Sequence, residues 1–314
     1  MNLAIQTNIP LKEKNWFKTG GSARYYCEPT TPVEFQEALE YARTNKLEIF
    51  VLGDGANILI SDEGFDGLVI HPQLKDIAIT DTQDGCFLTA GAGMTIEDLI
   101  PYCLNNNISG LEEFSGIPGT VGGATYINLH YYQFLLSQFL VKATIIHKQT
   151  GELEEVDNAW FNYGYNQSTL MNDKHYVVNV TFKLKRISDL EVAYARGRSV
   201  EIIRHRVSRY PSKNTCGSFF RNFHNDEVTI VSNGKKVIWV AYYLDKIGVK
   251  GALKVGGAVV SHQHANMLVT NDTATSADIV NLARTMQEMV QKEFGILPQT
   301  ECLMVGFKQY PLHK

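Results

Sequence analysis

Two glycine-dense segments constrain this chain more than any other feature. Gly53-Asp54-Gly55-Ala56-Asn57 directly follows the apolar run 47–52 (LEIFVL), and Ser115-Gly116-Ile117-Pro118-Gly119-Thr120-Val121-Gly122-Gly123-Ala124 comes later. Glycine lets backbone N–H groups approach an anion closely and adopt positive φ, as a pyrophosphate requires. One such loop reads equally well as a tight turn. Two in one chain favour phosphate cradles, yet neither carries a standard nucleotide fingerprint. Gly53-x-Gly55 lacks the third glycine, and Ile58-Leu59-Ile60-Ser61-Asp62 behind it predicts a strand where a Rossmann loop would open a helix. The second loop has no Gly-Lys-Ser/Thr, so it is no Walker A loop. A dinucleotide held outside a Rossmann fold stays open.

The surrounding pattern is mixed. Thr31-Pro32-Val33-Glu34 is a capping box, and Phe35, Ala38, Leu39 and Ala42 follow at helical spacing, which predicts a helix over 31–45. Strands are predicted at 47–52, 67–70 and 86–90. Alternation over 176–184 predicts a half-buried one. The charged stretch 190–209 favours helix and stops before Pro211. A second capped helix starts at Thr275, carries Ile279, Leu282, Ala283, Met286 and Val290 on one face, and closes at Gly295. Helices alternate with strands throughout, so the class is α+β or α/β. At 314 residues, about 150 per domain gives roughly two domains, with a boundary near the 190–209 stretch.

Composition narrows the function classes. A formal net charge of −4 argues against nucleic acid or an anionic membrane as the main partner. The longest apolar stretch, 131–146, is broken by Gln133, Ser137, Gln138 and Lys142, so no membrane span is expected. No basic segment leads an apolar one at the N-terminus, and a soluble, cytoplasmic protein is the expectation. The five cysteines (Cys27, Cys86, Cys103, Cys216, Cys302) never come closer than 17 residues, which excludes the short spacings of zinc and redox sites. His262-Gln263-His264 offers two imidazoles but no third ligand, and no metal is expected. In 211–222, PSKNTCGSFFRN, small and polar residues surround Ser218, with Lys213 and Arg221 on either side. No Gly-x-Ser-x-Gly elbow is present to support hydrolase chemistry. Cys216 reads as a thiolate near Lys213 or as a small buried thiol.

Together these segments resemble the UDP-N-acetylenolpyruvoylglucosamine reductase (UDP-N-acetylmuramate dehydrogenase) family. The matching stretches run in family order: Lys18-Thr19-Gly20-Gly21-Ser22-Ala23, the stretch 52–62, the stretch 115–124, Cys216-Gly217-Ser218-Phe219-Phe220-Arg221-Asn222, His264-Ala265-Asn266 and Glu301. They span about 17–307. The resemblance implies an α+β protein of the shorter family type. Its flavin region, of the vanillyl-alcohol oxidase kind, would occupy 1–188 (subdomains about 1–75 and 76–188), followed by an α+β substrate domain at 189–314. It implies an oxidoreductase that uses FAD and NADPH to reduce a UDP-sugar enolpyruvyl ether for peptidoglycan synthesis, acting as a cytoplasmic monomer. FAD would be held by Gly53, Asp54, Gly55, Ala56, Asn57, Ile58, Leu59, Ser115, Gly116, Ile117, Pro118, Gly119, Val121, Gly122 and Gly123. Ser218 would donate a proton and Glu301 would stabilise the enolic intermediate; Arg221, Asn222, Lys213 and Tyr165 would bind substrate.

The chain departs from the family pattern twice. Tyr165-Asn166-Gln167-Ser168 puts Asn166 where the family has an arginine facing the substrate carboxylate. An oxyanion-type donor at such a place is worth about 3–4 kcal/mol, and Arg221, Arg209 or Lys213 would have to replace its charge. Leu129-His130-Tyr131-Tyr132-Gln133 replaces a small-residue continuation, and its bulky side chains are expected to fill space beside the flavin. A paralogue that binds flavin or a UDP-sugar without turnover is the alternative, and a different oxidoreductase on the same scaffold is a second.

Overall fold

A computed structural model describes residues 3–314. The chain forms two compact units, each assembled from separated stretches. The first takes in Met1–Thr7 (described from Leu3), Tyr25–Asp54 and Gly67–Arg206; the second takes in Asn8–Arg24, Gly55–Asp66 and Val207–Lys314.

In the first unit, the Thr31 side chain accepts the Glu34 amide at 3.2 Å and Pro32 fills the first position, where its missing N–H costs nothing. Helix α1 (Pro32–Thr44) then buries Phe35, Ala38, Leu39 and Ala42, the predicted stripe. The next strand, Ile49–Val51, runs parallel to Phe65–Ile70 in the register Ile49↔Leu68, Val51↔Ile70. The main sheet is antiparallel. Its strands run in the order Leu153–Asp157, Leu140–His147, His175–Arg186, Gly85–Gly91, Ile77–Thr82, which makes the strand predicted from alternation its centre. Leu140–His147 comes from the run weighed above as a membrane candidate; its apolar residues pack inside a sheet. Against this sheet lie α2 (Ile96–Asn105) and α3 (Val121–Ile127), sharing a core with Leu88, Val180 and Phe182. Helix α4 (Asp189–Arg209) buries only Val192, Ala195 and Ile202, and its residues through Arg206 belong to this unit.

The second unit centres on Phe17, Leu59, Phe219, Phe220, Tyr243 and Leu268, packed with α5 (Val240–Lys246) and α6 (Ser276–Phe294). Strand Ile58–Ile60 pairs in parallel with Leu303–Val305. The three strands Lys254–Val255, Ala258–Val260 and Leu268–Thr270 form a small antiparallel sheet. Thr275 and Asp278 close a capping box at the start of α6, whose predicted stripe is wholly buried, and Gly295 ends it. All five cysteines are buried and unbridged, and burial pushes the Cys27 and Cys103 thiols up to about 12. Among the described residues no helix is long and apolar enough to cross a membrane.

Candidate functional site

One residue from each glycine segment, Gly53 and Thr120, meet within the first unit. The strand Ile49–Val51 delivers Gly53 to a point where a Cβ would lie 2.8 Å from Thr120 Oγ1, so only glycine allows the loops this approach. Thr120 caps α3 by accepting the Gly123 amide at 3.2 Å, while Gly122 N–H donates to the Ala92 carbonyl at 2.9 Å. Gly116 sits at φ +74°, the left-handed region, and Gly119 faces open space, with no atom within 4 Å of its Cβ direction. Ser115 is buried, and its hydroxyl contacts the Glu112 carbonyl and Ser199 Oγ, each at 2.6 Å. In the second unit, Trp16 N–H donates to the Gly55 carbonyl at 3.0 Å. Asn57 donates from Nδ2 to the Glu301 carbonyl at 3.4 Å, while its Oδ1 is buried with no partner. Of the cofactor residues expected from sequence, Leu59 and Val121 spend their side chains in the cores and Ile58 is buried, so these positions offer backbone atoms. Within the first unit, the close glycine–threonine approach and the open face at Gly119 fit the phosphates of a dinucleotide such as FAD.

Ser218 lies on a short extended segment held on both sides. Ser218 pairs with Met267 and Phe220 with Thr300 in antiparallel bridges. Glu301 N–H donates to the Phe219 carbonyl at 2.9 Å, which sets the Glu301 backbone beside the Ser218 segment. The sequence reading assigned no role to Asn266. Its buried carboxamide donates to the Phe220 carbonyl at 2.7 Å and accepts the Phe220 amide at 3.0 Å. A carboxamide carries a donor and an acceptor side by side and so serves a backbone N–H and C=O together, and that dual capacity is the one clue the residue type carried. His264 Nδ1 accepts the Asn266 amide at 3.2 Å, and burial holds this imidazole below its ordinary value, so it acts as a neutral brace.

The basic residues expected at the substrate have the following surroundings. Arg221 makes a bidentate pair with Glu227 at 2.7 and 2.8 Å and donates to the Asn222 carbonyl at 2.9 Å. Its hydrogen bonds hold the Glu227 carboxyl at about 2. The Asn222 side chain accepts the Val240 amide at 3.2 Å, at the start of α5, and Lys213 is exposed. Within the second unit Ser218, Asn266, Glu301 and Asn57 are therefore linked through one hydrogen-bonded strand edge, and the Arg221 guanidinium already has an acidic partner.

Asn166 and Tyr165 occupy a turn of the first unit closed by Gly164 N–H to the Gln167 carbonyl at 3.0 Å. Asn166 adopts φ +49°, and both polar atoms of its side chain are buried without partners, as is the Tyr163 hydroxyl. Exposed Tyr165 leans its ring on His130 at 5.1 Å, and burial lowers the His130 pKa. The segment 129–133 sends its bulky side chains in different directions. Leu129 enters the core, Tyr131 packs under Arg206 of α4, and Tyr132 stands 63% exposed at φ +50°. The hairpin His130–Tyr131/Phe134–Leu135 turns at Tyr132 and sends successive side chains apart.

Comparison with known proteins gives matches over nearly the whole chain. Residues 23–157 match the FAD binding domain model, and 209–305 match the C-terminal domain model of UDP-N-acetylenolpyruvoylglucosamine reductase. The reductase of that name from Listeria innocua is 31% identical over 97% of this chain and 96% of its own length. The one from Synechococcus is 31% identical over 98% and 93%. The crystal structure of the reductase from Thermus caldophilus superposes with a TM-score of 0.74 at 26% identity, covering 97% of this chain and 99% of that one. With both domain models matched in order and relatives aligned end to end, this chain belongs to the UDP-N-acetylenolpyruvoylglucosamine reductase family.

Proposed function

We propose that this chain is an FAD-dependent oxidoreductase that spends NADPH to reduce the enolpyruvyl ether of UDP-N-acetylglucosamine, yielding UDP-N-acetylmuramate for peptidoglycan synthesis. It would act in the cytoplasm as a monomer, with 1–188 as its flavin region and 189–314 as its substrate domain. The observation that carries this reading is the Ser218 segment, clamped by Asn266 on one side and the Glu301 backbone on the other. FAD, when bound, supplies hydride to the terminal carbon of the enolpyruvyl group. The protein's task is then the adjacent carbon, which develops enolate character. Ser218 is assigned to protonate it; an enolate is basic enough to take a hydroxyl proton within hydrogen-bond reach. Glu301 is assigned to stabilise the enolic intermediate as a carboxylic acid. Asn166, with two buried unpartnered polar atoms, offers a neutral donor and acceptor where the family carries a cation.

The test is direct. Purified protein should show a flavin spectrum and oxidise NADPH only when the enolpyruvyl UDP-sugar is added. A bound flavin with no substrate-dependent NADPH oxidation at any pH would instead establish the non-catalytic paralogue, which the change at Asn166 motivates.

A further inference from the structure

Helix α4 touches the second glycine loop at four consecutive points. Arg198 grips Glu113 through two hydrogen bonds, Nε to Oε1 at 2.9 Å and Nη2 to Oε2 at 2.8 Å. Ser199 Oγ meets Ser115 Oγ at 2.6 Å. Ile203 and Arg206 lie beneath Gly116, 3.2 and 3.5 Å from where its Cβ would be, and Arg206 Nε donates to the Gly116 carbonyl at 3.0 Å. The Arg206 guanidinium also covers the Tyr131 ring at 5.6 Å, and the Tyr131 hydroxyl contacts His205 Nδ1 at 3.2 Å. At about 100° per residue, positions 198, 199, 203 and 206 fall within an arc of roughly 140°, one face of the helix. The loop's far end is tied separately, with Ile96 N–H donating to the Gly119 carbonyl at 2.9 Å and Val121 N–H to that of Met94 at 2.8 Å. Between these anchors lie Ile117, Pro118 and the open face of Gly119.

We propose that Arg198, Ser199 and Arg206 are positioning residues for the flavin. They hold 113–116 so that the loop stands ready for the FAD pyrophosphate, although none of the three is assigned to the cofactor itself. Gly116 is the pivot. A left-handed residue has little intrinsic preference to stay in one well, and the planar peptide after it is fixed once Arg206 takes its carbonyl. A loop ordered before binding spares the ligand the cost of ordering it. Burial of Ser115 and of most of Glu113 strengthens the effect, because a broken contact leaves a polar group dry.

The inference rests on the FAD reading above, and its test separates the two. Apo-protein is titrated with FAD and followed by flavin fluorescence, in wild type, Arg206→Met, Arg206→Lys and Ser199→Ala. Amide hydrogen exchange across 114–119 is measured on the same apo-proteins. Arg206→Met should weaken FAD about tenfold and speed exchange in that segment, with Arg206→Lys recovering part of both. Ser199→Ala, a mild change that keeps the helix, should weaken FAD about threefold to tenfold. Wild-type affinity in both Arg206→Met and Ser199→Ala, or weaker affinity without faster exchange, would overturn the proposal. Failure of the wild-type protein to bind FAD would overturn both the proposal and the functional reading.

Discussion

Replacing Gly53 by alanine tests the contact between the two glycine loops. The new Cβ would lie 2.8 Å from Thr120 Oγ1, closer than real Cβ atoms come to a neighbour, while the other Thr120 atoms stay at 3.8 Å or beyond. The Gly53 backbone lies outside the left-handed region, so alanine brings no φ strain and stiffens the unfolded chain, a gain of about 0.4–1 kcal/mol. Relief must come from Thr120. Turning its side chain away breaks the bond from Gly123 N–H at 3.2 Å, an N-cap worth about 1 kcal/mol. An off-rotamer side chain adds about 0.5–1.5 kcal/mol. The net expectation is a loss of about 1 kcal/mol for Gly53→Ala. In a Thr120→Ala background the cap is already gone and the nearest remaining atom is 3.9 Å away. There Gly53→Ala should be neutral or stabilising, for a coupling of about 1–2 kcal/mol. Urea denaturation of the four apo-proteins closes the cycle. Additivity within about 0.5 kcal/mol would refute the argument that Thr120 transmits the clash.

Three further outcomes are expected. Ser218→Ala should leave NADPH-driven flavin bleaching intact in stopped flow and slow product formation by about 10²–10⁴; unchanged turnover would remove Ser218 as proton donor. Tyr163→Phe deletes a buried hydroxyl with no partner and should leave apo-protein stability equal or up to about 1 kcal/mol higher in urea, whereas a clear loss would mean the hydroxyl is satisfied. Glu227 is held at about 2, below its ordinary 4.5, chiefly by the hydrogen bonds from Arg221. A lowered folded-state pKa contributes stability that is complete above the unfolded value and fades as pH falls. Acid titration of unfolding should therefore show a loss between about pH 4.5 and 2 that flattens in Glu227→Gln.

What sequence could reveal was what short-range chemistry decides. The caps at Thr31 and Thr275 need only their own next three residues, and both helices run as their apolar stripes indicate. The glycine segments were visible for the same reason, because crowding and φ demand are local. The Asn266 brace was not visible, since its partner Phe220 lies 46 residues away and an isolated asparagine looks like any turn residue. Arg221 read as an available cation because Glu227 becomes its partner only when the intervening turn closes. Likewise 190–209 showed a charged helix, but not that Arg198, Ser199 and Arg206 would rest on a loop more than eighty residues earlier.

The strand Ile58–Ile60 acquires its parallel neighbour only from Leu303–Val305, and Asn8–Arg24 belongs to the same unit. During synthesis at about 5–20 residues per second, the strand Ile58–Ile60 waits roughly 12–50 s for this partner. Meanwhile Phe17 and Leu59, both fully buried in the finished protein, have no late core to enter. The first unit can thus settle early, while the unit carrying Ser218 and Glu301 is complete only once Leu303–Val305 has been made. A product cut short before Leu303 would leave the Ile58–Ile60 edge without its parallel neighbour and exposed to aggregation.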